Sequence, residues 1–408
     1  MTWPVVPLND LQADEPRAIT DGPFGSNLAS RHYTDQGPRV VRLQNIGDGS
    51  FVDEKAHITR EHFESLRTHE VLAGDLLVAS LGEVLPRACL APPTLGPAIV
   101  KADCIRVRLH PDVDRRWVMY AMQRPEVRRW ADSHRHGVGR PRLGLKVIRQ
   151  IPVPLPPLDE QRRIVELLED HLSRLDAADA GLASGMHRLG ALKRSVLAEL
   201  HDGDPVPLAE LAWDSGYGTS EKCVVDGPGV SVVRIPNLVN GVVDLTDEKR
   251  VADVNADVSS SMLATGDLLI VRTNGSVDLI GRSTVVQDGV DAAFASYLIR
   301  YRIRDGRVRP SWVQAMLSTP QVRRTIKPLA ASSAGQHNLS LAKLNPLKLP
   351  VPSLGQQDAG LARLREVEER IATLRSGIGR ARSYSTALRR SLLAAAFSGQ
   401  LTDEMAAA

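Results

Sequence analysis

The chain has 408 residues, 43% hydrophobic and 24% charged, with 51 Lys and Arg against 48 Asp and Glu for a formal net charge of +3. This length supports two or more domains with sizeable cores, and the composition is ordinary for a soluble globular protein. Cys89, Cys104 and Cys223 form no C-x-x-C pair, which excludes a disulfide framework or zinc ribbon; no signal-peptide pattern opens the chain and no apolar run reaches membrane-spanning length.

In chain order, the first turn-like stretch is FGSNL at 24–28, followed by VVRLQNIGDGSF at 40–51, whose alternation predicts a strand ending in a Gly-Asp-Gly turn. GDLLVASLGEVLPR at 74–87 reads as a turn, a buried strand and a polar loop. WVMYAMQRPEVRR at 117–129 reads as a short helix broken at a proline. Next come Pro152, Pro154, Pro156 and Pro157, which forbid helix and favour an extended path. Asp159 is then a candidate N-cap for a helix over 158–203, carrying an apolar stripe from Ile164 and Leu168 through Leu192, Val196 and Leu200. Such a helix would be roughly 60 Å long. Gly181, Gly185 and Gly190 are its points for a kink.

The same series then returns. YGTSE at 217–221, VVRIPNLVNGVV at 232–243, GDLLIVRTNGSVDLIGR at 266–282 and WVQAMLSTPQVRR at 312–324 repeat the first half, the strand and GDLL segments at one shared offset of 192 residues. LPVP at 349–352 leads into a second stripe (Leu361, Leu364, Val367, Ile371, Leu374, Ile378, Leu388, Leu392), and LKRSVL at 192–197 is matched by LRRSLL at 388–393. The chain is a tandem duplication. The expected fold class is α+β: two tandem α/β domains, each followed by a long helix, the two helices pairing as an antiparallel coiled coil with pseudo-twofold symmetry. The expected boundaries are domain one at 1–157, helix one at 158–203, domain two at 204–353, helix two at 354–401 and a tail at 402–408.

Charge is concentrated at matching places. Residues 115–149 hold ten basic and two acidic residues, and 300–348 hold ten basic and one acidic. Runs of this kind are usually solvated faces, but two of them in a repeat tilt the reading towards phosphate contacts. Polar loops lie beside them, at 131–144, 272–278 and 331–340. Arg reading guanine and Asn or Gln reading adenine is the geometry of base-edge recognition. The first-half candidates are Arg42, Asn45, Arg87, Arg135, His136, Arg140 and Arg142. In the second half they are Arg234, Asn237, Arg272, Thr273, Asn274, Arg282, Ser333, Gln336, His337 and Asn338.

Catalytic and cofactor motifs are missing. There is no G-x-x-x-x-G-K-[ST] loop, no dinucleotide fingerprint and no Ser, Cys or His constellation; His134, His136 and His337 have no third ligand at metal spacing. Asp53-Glu54-Lys55 and Asp247-Glu248-Lys249 could pass for the tail of a nuclease metal site, but without an upstream acidic partner they read as solvated strand-end charges.

The GDLL strands, RTNGSVDLIGR, SAGQHNLS and the PVPLPPLDEQ lead into a long helix resemble the specificity subunit of type I restriction-modification enzymes, over essentially the whole chain. The second half departs from the pattern, with SLGQQD at 353–358 in place of PPLDEQ. The resemblance implies a non-catalytic DNA-binding subunit of the bacterial or archaeal cytoplasm. Each recognition domain would read half of a bipartite, asymmetric double-stranded site, and the paired helices would set the unread spacer. Two methylation subunits bearing S-adenosylmethionine would dock on the helices and methylate adenine, and restriction subunits using ATP and Mg would join through them to cleave unmodified DNA. No cofactor or metal is expected in this chain. The alternatives are a specificity subunit of a related phage-defence system without classical restriction, a protein-only scaffold, or a self-sufficient nuclease or methyltransferase.

Overall fold

The structure, a computed structural model, describes residues 3–137, 141–200, 203–239, 241–304, 306–333 and 335–401. It divides into two compact units, Met1–Gly181 with Arg380–Ala408, and Leu182–Gly379. The boundaries fall inside the two long helices rather than at their ends, so each unit comprises one of the duplicated domains and a segment of both helices.

In the first unit the central four-stranded antiparallel sheet runs in the order Ile19–Thr20, Cys104–Val107, Leu76–Ala79, Arg87–Leu90. The second unit repeats that order with Ala212–Tyr217, Leu298–Ile303, Leu268–Val271 and Ser283–Val285. The GDLL motif explains how the central strand of each sheet is set. Gly74 (φ +85°) and Gly266 (φ +86°) adopt the left-handed turn that other residues resist. The next residue, Asp75 or Asp267, is buried and accepts the N–H of Leu72 at 2.8 Å or of Ala264 at 2.9 Å. Arg108 pairs with Asp75 through two 2.9 Å bonds, and Arg302 lies 3.4 Å from Asp267, so each buried carboxylate has a cation. The leucines that follow are fully buried.

The proline-rich segments are extended, as their composition requires. Pro152–Pro154 pairs antiparallel with Val5–Pro7, and Lys348–Val351 pairs with Asp204–Pro207. A tryptophan docks on each: Trp117 Nε1 donates to the Pro154 carbonyl at 2.7 Å, and Trp312 Nε1 to that of Pro350 at 2.8 Å. The glutamine shared by the two helix starts works as a clamp. Gln161 Oε1 accepts the Asp114 N–H at 2.9 Å while its Nε2 donates to the Pro156 carbonyl at 2.8 Å. Gln357 does the same with Arg309 N–H and the Pro352 carbonyl, both at 2.8 Å. Both amides are buried, so the repeat of a polar residue in an apolar setting reflects satisfied bonds.

The long helices span Leu158–Glu199 and Leu354–Ser398, each an unbroken run through its glycines. They end a few residues before the expected 203 and 401; residues 201–202 and the tail at 402–408 lie outside the described residues. Asp159 is not the cap: the helix begins at Leu158, and Asp159 sits in the first turn, where its charge suits the helix dipole. In the first unit, Ser385 donates to Asp179 at 2.9 Å and Arg389 pairs with Asp176 and Asp179. In the second, Lys193 pairs with Glu368 at 2.5 Å and Glu199 with Arg363 at 2.8 Å. Partner numbers fall as helix numbers rise, so within each unit the two segments run antiparallel. The stripe is partly buried as expected, with Ile164, Leu168, Leu189, Val196, Leu364 and Ile371 inside. Leu192, Leu374 and Leu388 were expected in the seam but are 47%, 52% and 49% exposed. One facing helix covers only part of the stripe's width, and Val196 and Leu197 are buried in the core of the second unit.

One further expectation fails. The strand predicted over 40–51 ends at Val41, and its copy is only Val232–Val233. A 3-10 turn follows in each, Leu43–Asn45 and Ile235–Asn237, because an asparagine turns back onto the backbone.

Candidate nucleic-acid interface

In each unit the structure brings together two polar loops that lie far apart in sequence. In the second unit, Thr273–Asn274 pairs antiparallel with Gln336–Asn338, which pairs with Ala331–Ser333, making a small three-stranded platform. Thr273 faces Asn338 and Asn274 faces His337. The first unit holds the same arrangement in reduced form, with Leu81 bridged to Arg142 and Arg142 to His136. The His136 and Arg142 backbones exchange N–H bonds of 3.1 and 3.0 Å, and Leu143 N–H reaches the Ser80 carbonyl at 2.8 Å. Arg140 lies outside the described residues, as does the side chain of Ser333.

On the second platform the groups are unequal. Arg272 is held on three sides: its guanidinium lies 4.3 Å from the Tyr217 ring centroid, Nη2 donates to Asn338 Oδ1 at 3.1 Å, and Nη1 reaches the Ser296 carbonyl at 3.4 Å. A guanidinium held this way orients Asn338. Thr273 Oγ1 also donates to Asn338 Oδ1, at 3.4 Å. Asn274 Oδ1 accepts the Ser276 N–H at 2.8 Å, closing its own turn. Gln336 is exposed and has no side-chain partner among the described residues. His337 is half-buried, its Nδ1 unpartnered.

Two pairs of candidates are structural. Asn45 and Asn237 are buried, with their amides spent on backbone. Asn45 Oδ1 accepts Arg42 N–H at 2.8 Å, and its Nδ2 donates to the carbonyls of Val52 and Glu54 at 2.8 Å each. Asn237 bonds Arg234 N–H at 2.9 Å and the carbonyls of Asp244 and Asp247 at 2.9 and 3.0 Å. No edge remains for a base, so both expectations are corrected. Their neighbours are anchored too: Arg234 pairs with Asp247 at 2.8 Å, and Arg42 lies 3.9 Å from Glu54. The acidic clusters at 53–55 and 247–249 thus serve as ion-pair partners, Asp53 also holding Arg39 at 2.7 Å.

The basic runs are likewise more neutral than their sequences suggest. Arg116 pairs with Asp114 and Glu169, Arg128 with Asp48, Arg135 with Asp132 and Arg142 with Asp103. In the second unit Arg300 and Arg302 share Asp214 and Asp267, Arg309 pairs with Asp358, and Lys327 with Asp278. Arg135 also donates to the Glu83 carbonyl at 2.9 Å, which joins the first unit's two loops. Cations without a side-chain partner among the described residues include Arg87, Arg115 and Lys146 in the first unit and Arg282, Arg307 and Arg324 in the second. Arg87 and Arg282 occupy equivalent places: Arg87 opens the strand Arg87–Leu90, and Arg282 directly precedes Ser283–Val285. Sequence reasoning missed Tyr217 as a site residue. Its ring carries Arg272 and its hydroxyl accepts the Leu341 N–H at 3.1 Å, and its signal was the aromatic opening YGTSE, which faced no recognisable partner in sequence.

Burial pushes the Cys89 and Cys104 thiols up to about 12, which keeps them protonated and unreactive. No group of three or more His, Cys, Asp or Glu among the described residues could hold a metal ion, and no described helix is long and apolar enough to cross a membrane.

The architecture is a duplication: two units, each with paired polar loops and segments of two long helices. Comparison with known proteins shows what this chain is similar to. The family model for the type I restriction modification DNA specificity domain matches residues 100–180. The StySPI specificity subunit of Salmonella potsdam is 24% identical over 268 residues, covering 62% of this chain and 58% of that protein. The EcoKI specificity subunit of Escherichia coli K12 is 24% identical over 270 residues, with the same coverage. The matched region thus spans just under three fifths of the length of these curated relatives. Among solved structures, one from work on the assembly and conformational transition of the type I R-M system has a TM-score of 0.75 at 18% identity, covering 98% of both chains. The HsdS subunit from Thermoanaerobacter tengcongensis gives 0.55 at 18% identity, covering 98% of this chain and 97% of its own. The two solved structures share this chain's fold, and the family model and the curated relatives it resembles share the type I restriction-modification specificity description.

Proposed function

We propose that this chain is the DNA-recognition subunit of a type I restriction-modification complex. Each unit reads one half of a bipartite, asymmetric double-stranded site. The observation that carries this reading is the duplicated loop platform: two related surfaces that present different polar side chains, as two unlike half-sites require. Arg282, Arg307 and Arg324 in one unit, and Arg87, Arg115 and Lys146 in the other, supply phosphate contacts that fix register and make binding salt-dependent. The platforms supply base contacts.

The chemistry belongs to partners. Two methylation subunits dock on the long helices, whose exposed Leu192 and Leu388 stand at equivalent places in the LKRSVL and LRRSLL repeats. They bring S-adenosylmethionine and methylate adenine. Restriction subunits, using ATP and Mg, join through them and cleave unmodified DNA.

The test is a methylome comparison of cells with and without this gene, the methylation partner being present in both. Loss of adenine methylation at one bipartite motif is the expected result. A methylome that does not change would point instead to a protein-only scaffold or to a defence system that does not methylate.

A further inference from the structure

We infer that Gln336 is the residue through which the second unit reads an adenine. This rests on the reading that the second unit binds DNA. An adenine presents, in the major groove, the N6 amino donor beside the N7 acceptor, so an amide side chain reads it by turning its oxygen and its nitrogen to the base together, which needs an amide plane that is free to orient. The second platform carries three amides, and two of them do not meet that condition. Asn274 has its oxygen on the Ser276 N–H at 2.8 Å. Asn338 has its oxygen on Arg272 Nη2 at 3.1 Å and on Thr273 Oγ1 at 3.4 Å. Asn338 thus has both lone pairs of its oxygen occupied, and the Asn274 oxygen is turned onto its own backbone, so neither amide is free to set its oxygen and NH2 group together against adenine N6 and N7.

Gln336 differs from both. It opens the strand Gln336–Asn338 directly after Gly335, whose φ of +78° lets the chain reverse there. Its side chain is exposed and neither amide atom is engaged among the described residues. The backbone behind it is paired to Ser333, and the adjoining strand positions pair to Asn274 and Thr273, so the freest side chain stands on a supported element. The first unit has Arg142 and His136 on the corresponding hairpin and no amide beside them. Of the two hairpins, only the second unit's therefore offers an amide to an adenine.

The experiment is methylome sequencing of cells that carry the methylation partner with the wild-type chain, Gln336→Ala or Gln336→Glu. The wild-type chain should give a bipartite motif. Gln336→Ala should relax one adenine position, in one half-site only, by roughly tenfold to a hundredfold. Gln336→Glu, an acceptor without a donor, should move that position towards cytosine, whose N4 amino group it can accept. Since the side chain is exposed, the melting temperature of both variants should match wild type, which separates a lost contact from a lost fold. A wild-type motif retained by both variants overturns the inference while leaving the DNA-recognition reading intact. So does relaxation at a position that is not adenine, or the loss of all methylation by both variants. If the wild-type chain directs no motif, the DNA-recognition reading fails and the inference falls with it.

Discussion

At the residue scale, the polar groups fall into those that hold the backbone and those left for a ligand, and residue type alone does not separate them. Asn45 and Gln336 are both amides beside polar loops. One is buried with three backbone bonds and the other is exposed with none. Asn237→Ala would leave the Arg234 N–H and two carbonyls unpaired, so it should cost about 1–3 kcal/mol in chemical denaturation. Any motif read by the folded remainder should be unaltered. A relaxed motif at unchanged stability would return Asn237 to the list of base readers. A second prediction concerns pH. His32 Nδ1 accepts the Ala29 N–H at 3.1 Å, and its ring lies 4.3 Å from that of His62. Burial, then the charges of His62 and Arg31, hold its pKa below the ordinary histidine value. A depressed histidine binds its proton more readily when unfolded. Its stabilising contribution is therefore present above the ordinary histidine pKa and lost as pH falls through the lowered one. The Ala29 amide should exchange faster, beyond the intrinsic pH trend, once His32 is protonated, and a His32→Gln variant should lack that step. Equal behaviour of the two proteins would remove His32 from the account.

At the element scale, the repeat was legible because it preserved spacing: the GDLL turns, the tryptophan docking on a proline strand and the clamp glutamine all recur in matched geometry. The loop platforms were less legible. Each loop could be named in sequence, but Thr273 meets Asn338 only because the intervening sheet and helices fold back, and local periodicity holds no trace of that. The charge runs misled for the same reason. Arg128 finds Asp48 and Arg300 finds Asp214, partners that lie outside the runs in which the cations were counted. The long helices give an internal contrast of magnitudes. Phe397 packs on Trp117, with centroids 4.2 Å apart, inside the first unit's core, and Phe397→Ala should cost about 3–5 kcal/mol. Arg389→Ala removes exposed pairing with Asp176 and Asp179 and should cost less than about 1 kcal/mol. Denaturation of the two variants side by side checks the ranking; a costlier Arg389→Ala would mean that the ion pairs, not the apolar seam, hold the segments together.

At the scale of the whole molecule, duplication is the organising fact. Each unit builds the same sheet order and the same clamp from its own recognition domain and its own share of two helices. The two then differ where side chains face outward: Leu81, His136 and Arg142 on one platform stand against Thr273, Gln336, His337 and Asn338 on the other. Shared scaffold with divergent tips is what a modular reader of two unlike half-sites needs. The most direct measurement is to replace residues 204–353 with the equivalent domain of a known type I specificity subunit and sequence the methylome with the same methylation partner. The account predicts that one half-site changes while the other half-site and the number of unread base pairs between them persist. A change in both halves, or in neither, would contradict it.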